Sequence, residues 1–187
     1  VVIDKTLYIY SYVENKWVER ESYHMNYMKI KDVAVYSPHV AVLYERNDFQ
    51  HVIKIFGESI NIMLHVQPYN RLKMFNNTLV TDGANVGKQV HVLNVYDVNG
   101  GYLSTTLTPS LNPENTCDGD IDVNADWIVT SCYNDLDYWV VVFRKINNEW
   151  VHCNIIRHFV KIKTLKLKSN TVTVLDVHNI ESSYRLV

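Results

Sequence analysis

Residues 142–151 read VFRKINNEWV: an apolar strand, a polar turn, and a Trp-Val pair that opens the next strand. The same order occurs at residues 9–18, which read IYSYVENKWV. Alternating apolar residues on both sides of a short polar turn predict two antiparallel strands joined as a hairpin. The sequence therefore predicts the same hairpin near both ends of the chain.

Two further copies of this hairpin lie between the first two. Residues 92–103 read VLNVYDVNGGYL, with Tyr in the Trp position, and residues 53–60 read IKIFGESI and form a weaker copy. The residues that open the second strand are 17, 60, 102 and 150, so the steps are 43, 42 and 48 residues. A period of about 40–50 residues holding four short strands predicts β-propeller blades.

We therefore predict an all-β chain of about four four-stranded antiparallel blades, because no stretch offers a capped amphipathic helix. Residues 1–187 are predicted to form a single propeller domain or a fragment of one. The approximate blades are 1–24 (partial), 29–67, 71–108, 120–157 and 160–187 (partial).

The number of blades in the complete ring stays open. The chain ends could pair into one shared blade and close a four-bladed ring, or the chain could be an arc of a ring with about six to eight blades. We favour the arc, because both ends extend beyond what a shared blade needs. An arc leaves unpaired faces and edges, and we expect remaining blades or a second chain to cover them.

Composition excludes several classes of function. The 187 residues carry 18 Lys and Arg against 20 Asp and Glu, a net charge of −2, which gives no reason to expect a nucleic-acid partner. The densest basic stretch, residues 161–168, alternates with apolar residues and predicts a strand with one solvated face. No apolar segment approaches the roughly 20 residues of a membrane-spanning helix.

The cysteines leave the compartment unknown. Cys117, Cys132 and Cys153 are odd in number and have no paired spacing, so we predict no disulfide framework. Cys132 is interpreted as a small packed residue in a strand. The chain could be cytosolic, or secreted with few or no bridges, and the sequon at Asn76 would matter only in a secretory compartment.

The last complete blade also suggests a family. Residues 124–135 read NADWIVTSCYND, residues 139–144 read WVVVFR and residues 148–151 read NEWV. This pattern resembles the FG-GAP-like repeats that build integrin-alpha-type propellers, and residues 78–92 match it in part. The resemblance implies a degenerate propeller repeat, since the Phe-Gly pair and the acidic calcium loop of that family do not stand in their usual places.

Each candidate site for chemistry in the sequence also has a structural interpretation. Carboxylates at Asp118, Asp120 and Asp122 are spaced as calcium ligands can be, but a polar entry into a strand is the favoured interpretation. We therefore expect no cofactor, with Ca²⁺ as the minor alternative. No nucleophile motif such as Gly-x-Ser-x-Gly occurs, so we expect no enzyme activity. The tryptophans recur at blade positions and are predicted to pack between blades: Trp17, Trp127, Trp139 and Trp150.

The connections between strands remain as the place of function, because binding residues concentrate on loops held by a rigid scaffold. The loops that join the second strand of a blade to the third mix charged and aromatic residues, which suits a protein-binding face. The predicted partner-binding residues are Arg46, Asp48, Phe49, Lys88, Tyr133, Asp135 and Tyr138. The leading hypothesis is a non-catalytic module that binds or scaffolds another protein. The alternatives are an extracellular FG-GAP-like propeller that binds a ligand or carbohydrate, and a fragment of a propeller enzyme.

Overall fold

The chain is all-β, as a computed structural model of the protein shows. The structure describes residues 2–3, 6–24, 28–46, 50–56, 62–66, 71–85, 90–109, 116–117 and 119–187. Within these ranges there are eighteen strands and no helix, so none that could cross a membrane. The predicted fold class, four-stranded antiparallel β-propeller blades, is confirmed.

The strands form five antiparallel sheets, and each sheet follows chain order from one edge to the other. Sheet 1 contains β1 (Val2–Ile3), β2 (Thr6–Val13) and β3 (Lys16–His24). Sheet 2 contains β4 (Met28–Tyr36), β5 (His39–Arg46), β6 (His51–Phe56) and β7 (Ile62–Val66). Sheet 3 contains β8 (Leu72–Phe75), β9 (Thr78–Asn85), β10 (Val90–Asp97) and β11 (Tyr102–Leu107). Sheet 4 contains β12 (Ile121–Val123), β13 (Trp127–Tyr133), β14 (Tyr138–Ile146) and β15 (Glu149–His158). Sheet 5 contains β16 (Ile162–Lys168), β17 (Thr171–Asp176) and β18 (Glu181–Arg185).

Two of the hairpins predicted from the repeat have asparagine with positive φ in their tight turns. Asn147 and Asn148 have φ angles of 50° and 67°, and Glu14 and Asn15 have 50° and 63°. Two consecutive residues with positive φ make the turn type whose twist matches that of the flanking strands. Asparagine adopts this conformation more readily than most residues, which is why the hairpin of residues 142–151 closes where the sequence predicts.

Neighbouring sheets bury their faces against each other through four apolar clusters. The clusters join sheet 1 to 2, sheet 2 to 3, sheet 3 to 4 and sheet 4 to 5. Each cluster takes alternate residues from its strands, such as Val140 and Val142 on one face of β14 and Val141 on the other. Because both faces of β14 are buried, its sequence is a continuous apolar run. The sheets are therefore stacked in chain order.

From sheet 2 to sheet 5, the first strand of each sheet lies next to the first strand of the following sheet, and carboxylates join them. The amide of Leu72 donates to Asp32 Oδ2 at 2.7 Å, and that of Leu165 donates to Asp120 Oδ2 at 2.8 Å. The amide of Leu167 donates to Asp122 at 2.6 Å. These strands are sheet edges, whose outward amides need partners. The aspartates supply those partners across the joint between sheets.

This arrangement gives a structural role to two carboxylates of the acidic stretch, for which the sequence had a calcium site as the minor alternative. Asp120 and Asp122 accept amide hydrogen bonds from β16. Burial raises the pKa of Asp122, while its hydrogen bonds from the amides of Leu167 and Val123 and the charge of Lys73 act in the opposite direction. Asp118 lies outside the described residues. Among the residues that are described, no group of three or more His, Cys, Asp and Glu side chains could hold a metal ion.

Cys132 is a packed strand residue as interpreted, but two predictions were wrong: that the cysteines form no disulfide, and that Trp17 packs between blades. Cys132 is buried but is joined by a disulfide to Cys117, because Thr116 pairs with Tyr133 as an antiparallel bridge and so brings the two cysteines opposite each other. Trp17 is 71% exposed on β3 and does not pack between sheets, whereas Trp127 belongs to the cluster between sheets 4 and 5. That the whole chain forms one domain stays a prediction.

Candidate protein-binding face

In sheets 4 and 5 the loop that connects the second strand to the third lies at one end of the stack. Antiparallel order places the connection from sheet 4 to sheet 5 at this same end, since successive strands run in opposite directions. The described connections at this end in sheets 4 and 5 cover residues 134–137, 159–161 and 177–180. They form what we call the loop face.

A single asparagine shapes the loop of sheet 4. The side-chain oxygen of Asn134 accepts the amides of Leu136 at 2.9 Å and Asp137 at 2.8 Å, and the Asn134 amide donates to the Asp137 carbonyl. Such a turn satisfies the backbone locally. Its consequence is that Leu136, which could be buried elsewhere, is 88% exposed at the tip of the loop.

The loop of sheet 5 is built in the same way around a buried aspartate. Asp176 Oδ1 accepts the amides of His178 at 2.8 Å and Ile180 at 2.9 Å. The Val177 amide donates to the carbonyl of Lys161 at 3.0 Å, which attaches this loop to the connection between sheets 4 and 5. Ile180 is 60% exposed, and Val177 is also exposed.

The connection between the two sheets adds a third exposed apolar side chain. Phe159 is 92% exposed and directly follows His158, whose Nδ1 lies 3.1 Å from the hydroxyl of Tyr184 on sheet 5. His158 pairs in the sheet with Tyr138, so this connection runs beside the loop of sheet 4. We give the name apolar loop patch to the exposed apolar side chains in these three segments and at the adjoining end of β13: Tyr133, Leu136, Phe159, Val177 and Ile180.

A patch of this kind has a recognisable physical role. Apolar side chains held out by hydrogen-bonded turns lose little conformational entropy when a partner covers them. Grouped exposed apolar residues mark interaction sites more often than isolated ones do. The patch has no chemistry of its own, because hydrocarbon groups and one phenol dominate it. What it can do is bury area against another molecule.

The structure places the predicted partner-binding residues in three situations. Tyr133 and Tyr138 come together, with ring centroids 6.2 Å apart, and Asp135 lies exposed in the loop between them. Arg46 is exposed at the corresponding end of sheet 2, where its amide donates to the carbonyl of Gln50. Asp48, Phe49 and Lys88 lie outside the described residues. The binding role of all seven stays a prediction.

Sequence reasoning missed four of the five members of the patch, since only Tyr133 was named in advance. Leu136 sits between Asn134 and Asp137, and an aliphatic residue inside such a polar turn is the signal that could have found it. Phe159 follows directly on a strand, and Val177 and Ile180 flank a polar turn. Apolar residues in these places look like strand ends when only the pattern is read.

A groove of about 550 Å³ opens at the other end of the stack, between sheets 1 and 2. Its walls carry Tyr10, Tyr12, Arg20 and the buried His39. The Nδ1 atom of His39 is buried and has no hydrogen-bond partner. Most buried polar atoms in proteins have a partner, so this nitrogen is one of the exceptions among the described residues.

Comparison with known proteins supports the fold and gives no family. No family model matches the chain, and no curated protein matches its sequence. The computationally designed protein Ika4 has 12% identity and a TM-score of 0.54, over 85% of this chain and 92% of Ika4. The designed protein Ika8 has 10% identity and a TM-score of 0.56, over 90% of this chain and 48% of Ika8. Hsv2 of Kluyveromyces lactis, a β-propeller, has 13% identity and a TM-score of 0.54, over 86% of this chain and 46% of Hsv2. The chain thus spans about half the length of Ika8 and Hsv2, and the likeness shows a propeller fold.

Proposed function

We propose that this chain is a protein-binding module of the β-propeller type, which presents its loop face to another protein and performs no catalysis. The observation that carries the proposal is the apolar loop patch, in which Leu136 and Phe159 are almost fully exposed. Exposed groups of this size are a liability in solution unless a partner covers them. Hydrogen-bonded turns hold Leu136 and Ile180 out, so their exposure does not result from loose loops.

The charged rim of the patch suits the same role. Asp135 lies exposed beside Leu136, and Lys161 and Lys163 lie exposed next to the connection that carries Phe159. An apolar centre with a polar rim is the usual composition of a protein interface. The sequence also lacks the nucleophile motifs of common hydrolases, which favours binding over chemistry.

The experiment is a quantitative capture with matched variants. The immobilised chain is exposed to an extract of its natural source, and bound proteins are quantified for wild type, for Leu136→Ser/Phe159→Ser and for a control. The control is Tyr12→Ser/Trp17→Ser, which removes two exposed aromatics from the opposite end of the stack. We expect at least one protein whose recovery falls about tenfold or more in the loop variant alone, as loss of a central contact implies.

The partner found in this way is then purified, and its affinity for the three forms of the chain is measured by calorimetry. Equal affinity for wild type and the loop variant would refute a role for the patch. Equal loss in both variants would indicate unspecific hydrophobic adsorption and would also refute it. Thermal unfolding of both variants verifies that they fold as the wild type does.

A second candidate function is an extracellular FG-GAP-like propeller that binds a ligand or carbohydrate. It is favoured by the disulfide between Cys117 and Cys132, because stable disulfides belong mainly to oxidising compartments. The groove beside His39 offers such a ligand a place. This function predicts a glycan on Asn76 and one thiol, that of Cys153, open to alkylation in the native protein. Three alkylated cysteines and no glycan, seen by intact mass, would refute it.

A further inference from the structure

The outer face of sheet 5, which points away from sheet 4, differs from every other face in the stack at equivalent positions. Strand register identifies those positions. Val129 pairs with Val142 and with Asp122 in sheet 4, and Thr173 pairs with Ser183 and with Lys166 in sheet 5. Thr173 and Ser183 therefore stand where sheet 4 has two valines.

The two valines of sheet 4 are fully buried against sheet 5. The hydroxyls of Thr173 and Ser183 lie 3.1 Å apart and satisfy each other, and Ser183 is exposed. A second apolar blade packed here would bury these hydroxyls and the neighbouring charges at a cost. The centre of this face is thus polar where the equivalent positions of sheet 4 are apolar.

The charges on this face are mostly positive. Thr164, Thr171 and Leu175 also alternate outward on the three strands. We define the cationic face by the charged side chains and two central hydroxyls of this surface: Lys166, Lys168, Thr173, Glu181, Ser183 and Arg185. All four of its charged residues are exposed, and three of the four are basic. A surface of this kind attracts carboxylates more than apolar groups.

The joint between sheets 3 and 4 shows what such lysines meet elsewhere in the molecule. Lys73 pairs with Val80 in sheet 3, as Lys166 pairs with Thr173 in sheet 5, so the two lysines are equivalent. Next to Lys73, Arg71 makes an ion pair with Asp120 of sheet 4 at 2.9 Å, and the charge of Lys73 acts on Asp122. At this joint, a basic first strand is matched by a following strand with carboxylates two residues apart.

We propose that the cationic face is a second docking surface, and that its partner is an exposed β-strand of another protein with two carboxylates two residues apart. The proposal rests on the proposed function, since it names a second partner surface of the same binding module. Lys166 and Arg185 contact the carboxylates, and the hydroxyls of Thr173 and Ser183 contact the strand between them. The lysine stems cover its apolar atoms.

The test uses the chain's own acidic strand as the probe. A synthetic peptide of residues 119–126, GDIDVNAD, is titrated into the ¹⁵N-labelled chain and compared with GNINVNAD, in which both central aspartates are replaced by Asn. We expect amide shifts at Lys166, Thr173 and Ser183 with the acidic peptide, and binding at least about tenfold weaker with the neutral one. Lys166→Glu/Arg185→Glu should abolish the difference, and raised salt should weaken binding.

Several results would overturn the proposal. They are equal shifts with both peptides, shifts centred away from the cationic face, and unchanged binding in the charge-reversal variant. Concentration-dependent dimerisation of the chain that the same variant removes would assign the face to a second copy instead. Leu136→Ser/Phe159→Ser should bind the peptide as wild type does. If the wild-type chain does not bind the acidic peptide but still captures a partner at the loop face, this proposal alone is overturned.

Discussion

Replacing Asp120 with alanine should weaken the joint between sheets 4 and 5 without touching the apolar clusters. In the wild type, Oδ2 accepts the amide of Leu165 at 2.8 Å and Oδ1 lies 2.9 Å from the guanidinium of Arg71. A buried amide left without a partner costs about 1–3 kcal/mol. The ion pair adds about 0.2–1 kcal/mol, because the Arg71 side chain is 39% exposed. The free energy of unfolding should therefore fall by about 1–4 kcal/mol.

Urea unfolding at neutral pH, followed by tryptophan fluorescence, measures this loss. Asp126→Ala removes an exposed carboxylate from the same sheet and is the control, with an expected change within about 0.5 kcal/mol. Arg71→Met removes the ion pair alone and should account for the smaller share. An Asp120→Ala variant as stable as the control would refute the reasoning that this carboxylate satisfies a buried amide.

Three further predictions concern the same region. Replacing Cys117 and Cys132 with serine opens a link of sequence separation 15, and urea unfolding should show a loss of about 3 kcal/mol; an unchanged midpoint would speak against the disulfide. Gly119→Ala places a Cβ 2.0 Å from the Ser131 hydroxyl oxygen and 2.5 Å from its carbonyl oxygen, so thermal unfolding should reveal a loss of about 1–3 kcal/mol, and full stability would show that the segment shifts freely. Burial raises the pKa of Asp122 above 3.8, so the folded state binds a proton more tightly than the unfolded chain and stability falls as pH rises between the two pKa values. The free energy of unfolding of the wild type minus that of Asp122→Asn should accordingly fall as pH rises through that interval. A rise of this difference would contradict the reasoning.

Local features of the fold were predictable from the sequence because they depend on neighbouring residues. The alternation of residues 142–151 and the two asparagines of their turn determine a hairpin by themselves. The period between hairpins then indicates stacked sheets. What alternation cannot tell is which face meets which sheet, and a strand buried on both faces such as β14 shows little alternation to interpret.

Contacts between residues far apart in the chain were not predictable. Asp120 and Leu165 are 45 residues apart, and nothing near either residue indicates the other. The disulfide depends on the bridge between Thr116 and Tyr133, which neither residue's own neighbours in the sequence indicate. Of the apolar loop patch only Tyr133 was predicted, because Leu136, Phe159, Val177 and Ile180 look like strand ends when only the local pattern is read.

Amide hydrogen exchange, resolved by residue, tests most directly whether the sheets are stacked with their first strands joined. The amides of Leu72, Leu165 and Leu167 lie on sheet edges and donate to aspartates of the preceding sheet. The account predicts that they exchange as slowly as amides within the sheets, and that Asp120→Ala releases Leu165 selectively. Exchange of all three at the rate of an unprotected edge amide would contradict it.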